Sequence, residues 1–169
     1  MPLSAPDRMA VEAYGYLQAA QTIVETPESS AQLRASVLYL VGRGFELSMV
    51  QGVTEAGGEV PAEGAGLIDV WKDAALDVYR ETCRENCVDA WEAAARSDPL
   101  DDDFTENPWF VFQDHIMKLD DIYGAGKETA LTQRMEDHMT GPMPFLVLDT
   151  MLKTTRDRLG ALPDRAGSA

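Results

Sequence analysis

The chain has 169 residues, enough for one domain with a substantial core, and 45% of them are hydrophobic. Its 29 acidic residues against 14 basic ones leave a net charge of -15, which disfavours a broad nucleic-acid grip, because neutralising phosphates takes clustered Lys and Arg. No apolar run is long enough for a membrane span, MPLSAPDR at the start lacks the apolar core of a signal peptide, and Cys83 and Cys87 alone are no disulfide framework. A cytoplasmic protein is expected, with room left for a local basic pocket at a dimer seam.

Taken in order, the chain reads as helices. Ser4 followed by Pro6 has the form of an N-cap and an early helical proline. The first helix should run to about Glu25, with Met9, Ala13, Tyr16, Leu17, Ala20 and Val24 facing inward, and stop before Pro27. The second, over 30–57, is expected to be the centre of the bundle, capped by Ser29 or Ser30. Leu33, Val37, Leu40, Val41, Phe45, Met49 and Val53 recur at steps of three and four, and Leu38, Leu47 and Val50 add apolar residues off that face. A helix apolar on more than one face is buried on more than one side. Gly42 and Gly44 in its middle each cost about 1 kcal/mol relative to Ala and point to a close helix contact. Gly57 and Gly58 end it, and EVPAEGAG connects to the next segment.

A third helical region opens near Leu67. Leu67, Trp71, Ala74 and Val78 share one face, and Cys83, Cys87, Trp91 and Ala94 extend or restart it, so 67–96 reads as either one helix or two. SDPLDDDFTENP is an acidic loop. A fourth helix starts near Pro108 with Trp109, Phe112, Ile116, Leu119 and Tyr123 on its face. GAGKETALTQRMEDHMTGPMP is a long junction, and a last helix from about Pro144 carries Leu148, Leu152 and Leu159 inward. These periods predict an all-α helical bundle of about five main helices with no sheet. It forms one domain over 1–169, with an ordered core from about 4 to 160 and a frayed tail over 161–169.

Several short stretches, spread over roughly residues 30 to 160, resemble the HEPN family (higher eukaryotes and prokaryotes nucleotide-binding), in its branch of uncharacterised bacterial proteins. LVGRGFELSM at 40–49 is similar to the family's buried helix with a small-polar-Glu-Leu stretch. GAGLIDVW at 64–71 stands where the family has a Gly-rich turn, often Gly-His-Asp-Leu, into a short apolar helix. KLDDIYG, LTQRMEDH and PFLVLDTMLKTTRDRL follow in the order of the family's Leu-x-x-x-Tyr segment, basic junction and final amphipathic helix. The resemblance implies a HEPN-like bundle and a symmetric homodimer, in a toxin-antitoxin or phage-defence setting. Many members are metal-independent ribonucleases whose Arg-x(4 to 6)-His motifs meet across the dimer seam.

This chain departs from that pattern. Its only such pair, Arg134 and His138, has three residues between, and Ala65 and Gly66 replace the His and Asp of the turn. RNA cleavage through the 2′-hydroxyl needs a base near neutral pKa and a cation on the phosphate, roles His138 and Arg134 could fill from one helical turn. Glu136 and Asp137 between them repel a polyanion, so a solvated polar turn is the leading reading, ahead of a remnant binding pocket and of catalysis. Glu46 matches the family's buried helix glutamate and is expected to pair with Arg43 or Arg34, which makes Glu46 and Arg43 the binding candidates.

No metal is expected. Neither histidine has a Glu three residues before it, and Cys83 and Cys87 lack a second pair, so they read as core cysteines. Asp114 is expected to satisfy His115 at the edge of the core. GAGK at 124–127 lacks the strand and spacing of a phosphate loop, and no cofactor is expected. The leading reading is a HEPN-like interaction module without strong catalysis, a homodimer with a further protein partner possible. The alternatives are a ribonuclease, the one reading in which RNA is a partner, and an acidic nucleic-acid mimic. No membrane partner is expected.

Overall fold

A computed structural model describes residues 3–26, 33–62, 65–97, 107–123 and 145–161. All regular structure among them is helical: α1 (Ala5–Val24), α2 (Arg34–Glu55), the short α3 (Leu67–Trp71), a 3-10 turn (Ala74–Leu76), α4 (Asp77–Ser97), α5 (Pro108–Tyr123) and α6 (Phe145–Gly160). The expected Ser29 or Ser30 cap, the acidic loop after α4, the GAGK turn with the rest of the junction before α6, and the tail from 162 lie outside the described residues.

Local chemistry fixes the helix ends. Ser4 Oγ accepts from the Asp7 amide at 3.2 Å, and Pro6 stands in the first turn, as the sequence implies. α2 ends in a Schellman arrangement. Gly57 takes φ +72°, its amide bonds the Thr54 carbonyl at 3.2 Å, and the Gly58 amide bonds the Val53 carbonyl at 2.9 Å. At the start of α2, Leu33 occupies the cap position and offers no side-chain acceptor.

The third region is two helices. α3 stops at Trp71, and Asp73 Oδ1 accepts from the Ala75 amide at 2.8 Å to start the 3-10 turn. Arg80, one turn into α4, reaches back and donates Nη1 to the Trp71 carbonyl at 2.5 Å and the Asp73 carbonyl at 2.8 Å. The carbonyls that α3 leaves open are thereby satisfied by the following helix. Because the chain turns here, the single stripe expected from Leu67 to Val78 does not exist. Leu67 and Trp71 are buried, whereas Ala74 is exposed and Val78 is 81% exposed.

α2 is the axis of the bundle and packs against α1, α3, the 3-10 turn, α5 and α6, while α4 lies on α5 and α6. Phe45 is at the centre, with Trp71 at 5.6 Å and Phe112 edge-on at 6.4 Å between ring centroids. Trp109 stacks on Phe112 at 5.2 Å. Val37, Val41, Met49, Val53, Leu17, Cys83, Cys87, Ile116 and Leu119 fill the same core. Leu33 and Val24, expected inside, are exposed at helix ends, and Leu40 is half-buried.

The mid-helix glycines of α2 serve as contact points. A Cβ on Gly44 would lie 2.6 Å from Leu17 Cγ and 3.1 Å from the Ala13 carbonyl, and one on Gly42 would lie 2.6 Å from Tyr123 Cγ. Gly15, exposed on α1, has no such neighbour. Alanine at Gly44 should therefore destabilise the fold by about 1–2 kcal/mol, steric strain outweighing the helix-propensity gain. Alanine at Gly15 should stabilise it by about 0.5–1 kcal/mol. Urea midpoints of the two variants, shifted in opposite directions, check this.

Candidate functional site

Three groups of side chains could support a function. The first joins α2 to α5. One oxygen of Glu46, Oε2, accepts from Arg43 Nη1 at 2.5 Å and from Tyr123 OH at 2.6 Å. The Tyr123 ring rests on Gly42 and meets Tyr39 at 5.6 Å. Burial by itself would lower the Arg43 guanidinium, but Glu46 and Tyr123 outweigh it and hold it above its ordinary value. Burial, then the Glu46 carboxylate, pushes the Tyr123 phenol up. Glu46 and Arg43 are thus brought together as expected, and they form a clasp between two helices. Arg134 and His138 lie outside the described residues.

The second group surrounds α3. Its N-terminus has glycine at the cap position, so no local side chain can serve it. Asp120 on α5 supplies the carboxylate instead, with Oδ1 accepting from the Leu67 amide at 2.7 Å and facing the Ile68 amide at 3.5 Å. A Cβ on Gly66 would stand 3.0 Å from that oxygen, so the missing side chain is what lets Asp120 approach. Beside this contact, a recess of about 460 Å³ opens between α3 and α5 over Trp71, Ile68 and Ile116, with Lys72 and Arg80 at its border. Arg80 lies 6.0 Å over the Trp71 ring. On the outer face of α5, Phe110 is 68% exposed and Met117 52% exposed.

The third group was not anticipated from the sequence. Toward its C-terminus, the face of α2 that turns to α4 and α6 becomes polar: Ser48 and Gln51, then Gly52 and Glu55. Ser48 Oγ and Tyr79 OH are 2.6 Å apart, and Tyr79 OH reaches Met151 Sδ at 3.9 Å. Asn86 donates to Thr154 Oγ1 at 2.9 Å, and Thr154 donates to the Thr150 carbonyl at 2.8 Å. A cleft of about 480 Å³ opens onto this seam. At its edge the Arg158 guanidinium is clamped by Asp7 at 3.2 Å and by Glu55. Burial, then Cys83, pushes the Tyr79 phenol well above its ordinary value. The signal for this seam was present in Ser48 and Gln51, polar residues on an otherwise apolar helix, and in the threonines of α6.

Other titratable groups are structural. Burial pushes the Cys83 thiol up to about 12 and the Cys87 thiol up to about 11, so both are protonated core residues at neutral pH. Among the described residues, no three His, Cys, Asp or Glu side chains gather as a metal site, and no helix is long and apolar enough to cross a membrane. His115 differs from expectation. Asp114 pairs with Lys118 at 2.6 Å, and His115 Nδ1 has no hydrogen-bond partner among the described residues; the ring packs edge-on to Phe145 at 5.8 Å.

In comparisons with family models, curated proteins and solved structures, nothing matches this chain.

One buried group, His115, and one half-buried group, Asp149, set opposing pH slopes. Burial, reinforced by Lys118, lowers His115 from 6.5 to about 4, so its contribution is complete above about 6.5 and is lost as pH falls toward 4. Burial, reinforced by Glu25, raises Asp149 from 3.8 to about 6, so its contribution is complete below 3.8 and is lost as pH rises through 6. Asp149→Asn should therefore match the parent near pH 4 and exceed its stability by about 2 kcal/mol at pH 7.5. Urea unfolding of both proteins at the two pH values checks the difference; an equal gain at both would place the effect elsewhere.

Proposed function

We propose that this chain is a HEPN-like helical interaction module that works as a symmetric homodimer, without strong catalysis of its own. The observation that carries the reading is the outer face of α5. Phe110 and Met117 project from it, and the recess over Trp71 and Ile116 opens beside them. A face that holds both a projecting aromatic ring and an apolar recess is self-complementary, as an isologous interface requires. Of the basic residues at or near this face, Arg80 is paired with Asp77 and Lys118 with Asp114. The toxin-antitoxin or phage-defence setting follows from the sequence resemblance, and the cytoplasmic location from the composition.

Sedimentation at tens of micromolar protein should give about twice the 18.5 kDa chain mass. Phe110→Glu combined with Met117→Glu should give the single-chain mass with an unchanged helical circular dichroism spectrum. A monomeric parent, or a dimer that survives both substitutions, would remove the α5 face as the interface.

The ribonuclease reading is tested separately. Arg134 and His138 are one residue closer than the family motif allows, and Glu136 and Asp137 put negative charge where a phosphate would settle. Single-stranded RNA incubated with the purified protein should stay intact. Cleavage that disappears in His138→Ala would make the chain a ribonuclease.

A further inference from the structure

His115 is 3% exposed, and its Nδ1 is enclosed without a hydrogen-bond partner. Only a neutral ring tolerates such a place, because an imidazolium has a donor on each nitrogen and a full charge to be solvated. Nothing around the ring is arranged to receive that charge. The imidazole meets α6 at its first residue, Phe145, edge-on at 5.8 Å. α6 opens with Phe145, Leu146, Val147 and Leu148 and has no acidic residue in its first turn. A helix N-terminus disfavours a cation, and no carboxylate there offsets it. The charges that act on the ring, Lys118 and Asp114, belong to α5 itself and are paired with each other at 2.6 Å.

Charged and titratable groups on the helices around α5 are placed elsewhere. Glu46 and Arg43 of α2 are joined to Tyr123, Lys72 after α3 borders the recess over Ile116, and Cys87 of α4 reaches the Pro108 carbonyl. Asp149 and Lys153 of α6 line a separate recess with Asp89 of α4.

The two helices that meet at His115 differ in how firmly they are held. α5 is fixed by Phe112 against Phe45 and Trp71, by Asp120 on the Leu67 amide and by Tyr123 on Glu46. α6 is fixed in its second half, where Thr154 accepts from Asn86 and Arg158 pairs with Asp7 and Glu55. The first turn of α6 carries no side chain able to hydrogen-bond, so it is the part that can yield.

We propose that His115 is a proton-driven release for the start of α6. When the ring takes up a proton, the first turns of α6 part from α5 and admit water to the imidazolium, while the α2–α5 core stays closed. Loss of the proton restores the contact. Burial, reinforced by Lys118, holds the ring neutral down to about 4, so release grows as pH falls from 6.5 toward 4. The device does not depend on the α5 dimer face.

Hydrogen exchange, followed by NMR on the full chain at pH 6.5 and pH 4.5, is the test. The Thr150 and Met151 amides bond back to the first turn of α6, and their protection should fall about tenfold or more at the lower pH. Protection of the Gly44 and Phe45 amides in α2 should change by less than about threefold. Protonation of Asp149 over this interval strengthens α6 and so cannot mimic the loss. His115→Gln and His115→Leu, neither of which titrates, should each remove the fall. In the parent, the His115 ring should titrate with the same midpoint as the loss of protection, a measurement that stands even if a variant does not fold. A ring that titrates near 6.5, unchanged protection at pH 4.5, a fall that persists in a folded variant, or a loss spread evenly over α2 and α6 would each overturn the assignment.

Discussion

Close approach of α2 to its neighbours is the constraint on which this fold depends. A helix surrounded on most sides can be packed tightly only where its own side chains give way, and α2 gives way at Gly44 toward α1 and at Gly42 toward α5. Gly52 does the same toward Leu76 and Tyr79, where a Cβ would stand 2.9 Å from Leu76 Cδ2. Each glycine weakens the isolated helix. The packing of α1, α5 and α4 against those points offsets the loss, in keeping with helices in proteins drawing most of their stability from tertiary contacts. The same approach makes the Glu46 clasp possible. With the Tyr123 ring lying on Gly42, its hydroxyl falls within 2.6 Å of the carboxylate that also holds Arg43.

α3 depends on a second device of the same kind. At the start of α3, the absence of a side chain at Gly66 admits Asp120, so a helix of five residues is anchored by a carboxylate more than fifty positions away in the chain. Arg80 closes the other end of α3 on the Trp71 and Asp73 carbonyls. A helix this short has no cooperative stability of its own, and both of its ends are held by other elements. Trp71 is thereby fixed where it can join Phe45 to the Trp109–Phe112 stack.

The bundle was legible in the sequence because the 3.6-residue period is long and strong in α1, α2, α5 and α6, and because Ser4, Pro6 and Gly57 mark helix ends by local chemistry alone. The break after Trp71 was less legible. Continuing the period from Trp71 to Val78 is arithmetically sound, but Asp73 and Arg80 compete for the backbone groups that would carry a helix across, and side-chain competition of that kind leaves no trace in hydrophobic spacing. Burial of His115 without Asp114 was unreadable for a related reason: Lys118, at i+4, holds the Asp114 carboxylate at 2.6 Å. The clasp partners were readable as far as Arg43 and Glu46, which are near in sequence, whereas Tyr123 enters from another helix.

The polar seam shows how apolar periodicity can conceal a site. Counting the apolar residues of α2 finds the stripe through Phe45, Met49 and Val53 and stops there. On the neighbouring face, Val37, Val41 and Gly44 are followed at the same helical steps by Ser48, Gln51 and Glu55, so one surface of the helix is apolar in its first half and polar in its second. A polar residue on the outside of a bundle is ordinary. On a helix enclosed by α1, α5 and α6 it must be satisfied, and Ser48 is satisfied by Tyr79. Gln51, 4% exposed, lines the same cleft as Ser48, so the polar half of this surface borders an opening between α2, α4 and α6 and the apolar half is closed by the core.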